Sequence, residues 1–372
     1  MTMAMPDCPS VPVRQLAGLL KIPFSDTPAA DVVVDPALIP FAIRRHRVGP
    51  LLHAALQRSD STIDETLERH ARDNLFKAAM GEHFLARLAG LFLEAKIPWL
   101  AFKGLALARA LYPDPRWRHC HDTDVLVPPE YFDRAVTLLR GDGQQIVNTR
   151  RAPDSLAERL QAAIGKDIML FQPRLRMHLE LHRRLFFGRA EERRSPLLAD
   201  TFRPRLGASS TDVPSPDVGA GLALYLLLHG ASSRWFRLKW LVDLHPLLAG
   251  MTPSQVEILV TAAHDMKATA TVTAGLRLFE QVFETSLPEP WHSWLAETAG
   301  DRGVEGRLAA YIAALNRPDA ASATRQGDQF DSLDMYFRFI DSFGYRTAVI
   351  LRGGAWIAIR ALGRLLPSGP QG

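Results

Sequence analysis

The sequence predicts an α+β fold, with a small sheet midway along the chain and helical regions before and after it. Short apolar runs at 97–102, 121–127, 168–171 and 177–182 have strand length and are bounded by Gly, Pro or charged residues. Ahead of them Ile43, His46, Val48, Leu51, Leu52 and Leu56 recur at near-helical spacing, and helical patterning returns from 222 onward. At 372 residues, 47% of them hydrophobic, the chain has length for two or three domains and apolar content for their cores.

Residues 1–40 are Pro-rich and loosely patterned, with a short helix expected at 13–20. Between 63 and 94 the pattern predicts one or two helices that bury Leu67, Leu75, Phe76, Phe84, Leu88 and Leu91. His46, His53, His70 and His83 are too spread for a shared metal and read as surface or half-buried. After the run at 97–102, Lys103-Gly104 interrupts, and 105–111 reads as an Ala- and Leu-rich helix. Pro128-Pro129-Glu130 suits a helix start, the helix covers 131–140, and Gly141-Asp142-Gly143 ends it. Residues 144–182 supply strands, with a helix expected near 155–163. The span 189–221 is charged and then rich in Pro, Ser and Gly, a connector expected to be flexible at 207–221. An apolar helix runs from 222 to His229-Gly230, and 234–243 continues at helical spacing. Further helices are expected at 254–266, 269–283, 289–298, 306–315 and 334–343, with a polar loop at 316–329. The last stretch, 345–366, is basic and amphipathic and reads as a terminal helix covering the core. Docking on a membrane or a partner is its alternative.

The chemistry-bearing residues gather at 97–127. A Gly at a strand-to-helix turn lets the backbone approach a ligand, and the helix N-terminus behind it favours an anion. Side chains two apart on a strand share a face, so Asp122 and Asp124 project together, close to where Lys103-Gly104 turns. Neighbouring carboxylates repel unless cations sit between them, and Mg²⁺ is the usual ion where phosphate is present. At 177–182, His178, Glu180 and His182 share one face while Met177, Leu179 and Leu181 occupy the other. One face can therefore enter a core while the opposite face meets a cleft. His178-x-Glu-x-His182 also offers zinc-ligand types. On a strand, though, the two His lie about 13 Å apart, too far for one ion to bridge without a sharp bend.

In chain order the sequence carries Lys103-Gly104, Arg118 four residues before Asp122-Thr123-Asp124-Val125-Leu126-Val127, Glu180-Leu181-His182, His229-Gly230 and Trp240-Leu241-Val242-Asp243. This ordered set resembles the polymerase-β type of nucleotidyltransferase. It is more similar still to the bacterial group described as the uncharacterised nucleotidyltransferase family, over about 97–248. His46-Arg47-Val48 with Leu51-Leu52 is a weaker upstream echo. The resemblance implies a small mixed-sheet nucleotidyltransferase core flanked by helical N- and C-terminal regions. On that basis 1–95 is a helical N-terminal subdomain, 96–188 the core, 189–221 the connector and 222–372 a helical C-terminal domain.

It also implies transfer of a nucleoside monophosphate from a nucleoside triphosphate to an acceptor. Two Mg²⁺ ions, with Mn²⁺ as a substitute, would sit about 4 Å apart and clamp the entering and leaving oxygens. Asp122, Asp124 and Glu180 are the implied catalytic and metal-binding residues, with Glu180 helping to remove the acceptor's proton. Lys103 and the Gly104 amide would meet the triphosphate. Arg118 would neutralise a phosphate or position the Asp-bearing strand. His182, His229 and Asp243 are candidates for orienting these groups or the acceptor. Two departures stand out. Gly104 is followed by Leu105 where many enzymes of the fold carry Ser, so Lys103 is expected to replace a lost hydroxyl contact. The 17 residues between Gly104 and Asp122 exceed the separation in compact versions.

Trp235 or Trp240 could stack a base or acceptor while Arg234, Arg237 or Lys239 meets phosphate. For Trp240 the reading as core is preferred. The acceptor is not legible. Relatives of the family it resembles lie beside genes for ribosomally made peptides such as lasso peptides, which implies a peptide-tailoring role with another donor as one alternative. A non-catalytic nucleotide-fold binding module is the other. Net charge is a mild +4, and 37 of the 44 basic residues are Arg. That bias suits bidentate phosphate contacts, and genomic base composition explains it at least as easily. Without a basic and aromatic ladder, nucleic acid is not an expected partner. No run of 18 apolar residues predicts a transmembrane helix. The N-terminus lacks the order of a signal peptide, and only Cys8 and Cys120 occur, so a reducing cytoplasm is expected.

Overall fold

The computed structural model describes residues 8–25, 32–147, 165–186, 195–317, 340–341, 345–347 and 350–351. The expected helix at 155–163 lies outside them, as do most of 316–329, 334–343 and 345–366. Cα proximity divides the chain into two compact units, one built around Met1–Ala78, Ala108–Cys120 and Asp217–Asp341, the other around Ala79–Leu107 and His121–Pro216.

The second unit holds the sheet. Its strands are β1 (Leu100–Ala101), β2 (Asp122–Leu126), β3 (Gln145–Ile146), β4 (Asp167–Gln172) and β5 (Met177–His182), in the order β1-β2-β5-β4-β3. β2 and β5 are parallel and the other neighbours antiparallel, so the sheet is mixed and the fold is α+β. A parallel pair needs a crossover, and the helix Phe132–Gly141 together with β3 and β4 fills the interval between β2 and β5. That helix buries Phe132, Ala135 and Leu139, and Gly141-Asp142-Gly143 ends it as expected, with Gly143 at φ 84°.

Alternation decides which face is which. Thr123, Val125, Ile168, Leu170, Met177, Leu179 and Leu181 are buried on one face. Asp122, Met169, Phe171, His178 and Glu180 are half-exposed on the other. The connector does not run free of the sheet. Trp99 and Arg205 exchange backbone hydrogen bonds of 3.0 and 3.1 Å, and the Ala101 N–H donates to the Pro214 carbonyl at 2.8 Å. These bonds cover the outer edge of β1, which would otherwise present unpaired backbone groups.

The first unit is helical. The helix Ala220–Ser232 is buried along nearly its whole length, as expected of one apolar on every side. Around it pack helices Leu238–Ala249, Pro253–Asp265 and Thr269–Phe283. A capping box at Thr252 and Gln255 starts Pro253–Asp265. Two sequence expectations fail here. Leu75 and Phe76 are 43% and 68% exposed, because the inward position on that turn of helix Glu65–Glu94 belongs to Asn74. Its amide donates to the Arg116 and Arg118 carbonyls at 2.9 and 3.1 Å and accepts from the Cys120 N–H at 2.9 Å. The helix expected through Arg234 begins only at Leu238, since Arg234 and Trp235 both take φ 53°. Among the described residues no helix is long and apolar enough to cross a membrane.

His46, expected at or near the surface, is fully buried. Its Nδ1 accepts the Leu238 N–H at 3.1 Å, which caps the start of Leu238–Ala249, and Phe41 lies edge-on to its ring. Burial, then the neighbouring Arg45 and Arg237 charges, hold its pKa well below the ordinary 6.5. The unfolded chain takes up this proton near pH 6.5 while the folded chain does not. Stability from this site is therefore complete above pH 6.5 and declines as pH falls below it. Thermal unfolding between pH 7.5 and 5 (roughly the His titration range) should show Tm dropping on acidification. His46→Asn keeps an acceptor near Nδ1 and should flatten that slope. The slope will shrink rather than vanish, because burial lowers His70 and His245 in the same direction.

Candidate active site

The exposed face of the sheet is laid out in rungs by its register. Asp122, His178 and Phe171 form one rung, Asp124, Glu180 and Met169 the next, and Leu126, His182 and Asp167 the third. Asp124 thus sits directly beside Glu180 across the parallel pair. Asp124 is only 3% exposed, while Glu180 is half-buried. His182 Nε2 lies 3.2 Å from Asp124 Oδ1 and 3.4 Å from Glu180 Oε2. One donor atom from each of the three falls within 4.8 Å of the others, a group that could hold a metal ion.

A carboxylate buried this deeply must meet positive charge or hydrogen-bond donors. Lys103 Nζ meets Asp124 Oδ1 at 2.5 Å. Burial alone would push the Asp124 carboxyl up. The Lys103 ammonium and the His182 ring outweigh it and hold the group well below the usual carboxylate range. The backbone brings Lys103 here. The Phe102 N–H donates to the Asp124 carbonyl at 3.2 Å, extending the β1–β2 ladder, and the next residue turns. Gly104 makes that turn at φ 58°, where an added Cβ would stand 2.5 Å from the Asp122 carbonyl oxygen. Helix Gly104–Leu111 starts at once. Lys103-Gly104 is therefore one device, in which the Gly permits the close approach and the Lys reaches the acid.

Asp122 shares the Asp124 face but stands one rung away, opposite His178. The His178 ring is engaged with Phe171 at 4.9 Å and His121 at 5.7 Å, and among the described residues the metal-capable group takes His182 and not His178. Asp167 was not anticipated. Its Oδ2 is 3.6 Å from His182 Nδ1, and it also pairs with Lys166. Burial works against its charge, and Lys166, His182 and Lys103 together lower its pKa. Counting back from the turn at 173–176 aligns Asp167 with His182, which is the signal that could have found it.

The remaining candidates belong to the first unit. Arg118 donates from Nε and Nη2 to Asp243 Oδ1 and Oδ2 at 2.8 and 2.9 Å. The Tyr112 hydroxyl also donates to Asp243 Oδ1, at 2.7 Å. All three are buried. Burial opposes the Arg118 charge, but Asp243 overcomes it and raises the guanidinium pKa further. Burial and Asp243 likewise push the Tyr112 phenol well above its ordinary value. His229 stacks on Tyr225 and meets Trp240 edge-on, and Arg237 lies 4.8 Å from the Phe236 ring centroid. Trp235 is fully buried, its indole filling the space beside Gly230 and Gly275, where a Cβ would stand 2.3 and 3.2 Å away. It is core and not a stacking surface, and it explains the Gly of His229-Gly230.

The sequence model of the uncharacterised nucleotidyltransferase family matches residues 35–284, well over half of the chain and inclusive of every site residue named above. No curated protein matches the sequence.

The Lys103-Gly104 turn gives a direct check. Gly104→Ala should cost about 1–3 kcal/mol, read as a lowered Tm in thermal unfolding. Gly141→Ala, where an added Cβ meets nothing within 4 Å at a helical position, should leave Tm unchanged or raise it. Equal values for the two variants would show that the turn does not need its glycine.

Proposed function

The chain belongs to the uncharacterised nucleotidyltransferase family, and from that premise we propose that it transfers a nucleoside monophosphate from a nucleoside triphosphate to an acceptor in a metal-dependent reaction centred on Asp124 and Glu180. The observation that carries this reading is the register: a buried carboxylate on a central strand lies directly beside a second one that solvent can reach. Such a pair fits a divalent cation, because the oxygens converge and their mutual repulsion falls once the ion binds. Asp124 and Glu180 would hold Mg²⁺ or Mn²⁺, with Asp122 on the adjoining rung. The ion would supply stabilisation of negative charge gathering on the phosphate oxygens.

The chain's own groups then divide the work. Lys103 exchanges its bond to Asp124 for one to the triphosphate, and the Gly104 turn brings backbone close enough to cradle a phosphate oxygen. Glu180, half-buried where Asp124 is closed off, would accept the acceptor's proton. The new bond joins the acceptor oxygen to the α-phosphorus, and the bond to pyrophosphate breaks. Arg118 and Asp243 act as one buried pair that fixes the 115–120 loop leading into β2. A peptide is the acceptor proposed for the test.

One observation favours a second reading. The Lys103 ammonium already neutralises Asp124, as it would in a nucleotide-fold binding module that performs no turnover. Incubation with Mg²⁺ or Mn²⁺, nucleoside triphosphates and a peptide-rich extract separates the two. Label from the α-phosphate, and not from the γ-phosphate, should pass to a product with release of pyrophosphate. Asp124→Asn should slow this by about 100-fold or more, the equivalent of at least about 2.7 kcal/mol of charge stabilisation. Undiminished transfer in that variant would remove Asp124 from the reaction, and nucleotide binding without transfer would favour the binding module.

A further inference from the structure

We propose that His182 supplies a nitrogen ligand to the metal held by Asp124 and Glu180, that Asp167 is the carboxylate that positions it, and that the site consequently prefers Mn²⁺ to Mg²⁺. The inference rests on the metal-dependent reading above and adds to it the chemistry of the third ligand.

His182 is 1% exposed, with carboxylates facing both of its ring nitrogens. Nε2 points at Asp124 and Glu180, while Nδ1, which has no hydrogen-bond partner, faces Asp167 at 3.6 Å. A neutral imidazole has one N–H and one lone pair, and an ionised carboxylate only accepts. With the proton on Nε2, the Nδ1 lone pair confronts Asp167. With the proton on Nδ1, directed at Asp167, the Nε2 lone pair confronts two carboxylate oxygens. A cation among the three donors resolves the second arrangement, taking the place beside Nε2 that a second ring proton would otherwise fill. Nε2 then binds the ion, Asp124 and Glu180 complete its charge balance, and Asp167 accepts from Nδ1. This is the carboxylate–histidine–metal order that fixes a ligating imidazole's tautomer and orientation.

The spacing agrees. Donors about 2.1 Å from an ion and at right angles to one another stand about 3.0 Å apart. The observed separations from Nε2 are 3.2 and 3.4 Å. The arrangement is also built into the sheet, since β4 and β5 pair Asp167 with His182 and β2 and β5 pair Asp124 with Glu180. Phe102 holds the ring from the side, edge-on at 5.0 Å. A set of two oxygens and one imidazole nitrogen suits Mg²⁺ poorly, since that ion keeps to oxygen donors and water, whereas Mn²⁺, as a first-row transition ion, accepts the nitrogen more readily.

The test uses the full-length protein loaded with Mn²⁺ alone and read by pulsed EPR, in which an imidazole ¹⁴N bound to manganese modulates the electron spin echo. The wild type should show this modulation and should bind Mn²⁺ at least about tenfold more tightly than Mg²⁺. His182→Gln should lose the modulation and His178→Gln should keep it. Asp167→Asn should weaken Mn²⁺ binding by about tenfold or more. Wild-type protein that binds Mn²⁺ at Asp124, as shown by loss of binding in Asp124→Asn, yet gives no nitrogen modulation would overturn the His182 assignment and leave the metal-dependent reading standing. Modulation that survives in His182→Gln would also overturn it. Failure of the wild type to bind either ion at millimolar concentration would overturn both.

Discussion

The parallel pairing of β2 with β5 is the constraint from which the site follows. It sets Asp124 directly beside Glu180 and places both on the one sheet face that stays half-open. Asp124 is closed off from water where Glu180 is not, and a buried anion of this kind is tolerated only beside positive charge or donors. Lys103 and His182 supply these in the structure. Their presence shows that the sheet has already committed to holding a charge there.

The segments leading into the sheet serve that constraint in different ways. At the end of β1, Gly104 takes a left-handed conformation against the Asp122 carbonyl, which lets Lys103 reach Asp124. Ahead of β2, the loop 115–120 is tied to helix Glu65–Glu94 by Asn74 and to helix Leu238–Ala249 by the Arg118–Asp243 pair. A bidentate Arg–carboxylate pair at full burial is geometrically exacting. Breaking one such partnership leaves an uncompensated buried charge, typically a loss of about 3–5 kcal/mol. Two of the motifs that look separate in the sequence, Arg118 before the Asp-x-Asp strand and the Asp243 of Trp-Leu-x-Asp, are therefore two halves of one interaction.

Much of the fold was legible because period and breakers agree. Strict alternation over 177–182 matches β5 residue for residue, the apolar pattern at 269–283 matches its helix, and Asp122 and Asp124 share a face by spacing alone. What could not be read was mostly a matter of partners. Alternation places His182 and Asp167 on faces of their own strands, but only the hairpin register sets them opposite each other. Nothing local says that Arg118 finds Asp243, 125 positions away, or that Lys103 spends its charge on Asp124. Helical periodicity assigned Leu75 and Phe76 to the core, and the hydrogen-bonding needs of the 115–120 loop put Asn74 there instead. Trp235 resembled a stacking platform because aromatic and basic residues are interleaved around it. Two consecutive left-handed residues turn it inward onto Gly230 and Gly275, a backbone choice that residue spacing does not encode.

The central claim, that Asp124 and Glu180 are paired in order to share a cation, is tested most directly by diffraction from crystals soaked in Mn²⁺ with a non-hydrolysable nucleoside triphosphate, measured for anomalous scattering. An anomalous peak is expected about 2.2 Å from carboxylate oxygens of both residues, with Lys103 Nζ moved from Asp124 to a phosphate oxygen. A Lys103–Asp124 bond that remains intact, with nucleotide bound and manganese absent or bound elsewhere, would contradict it.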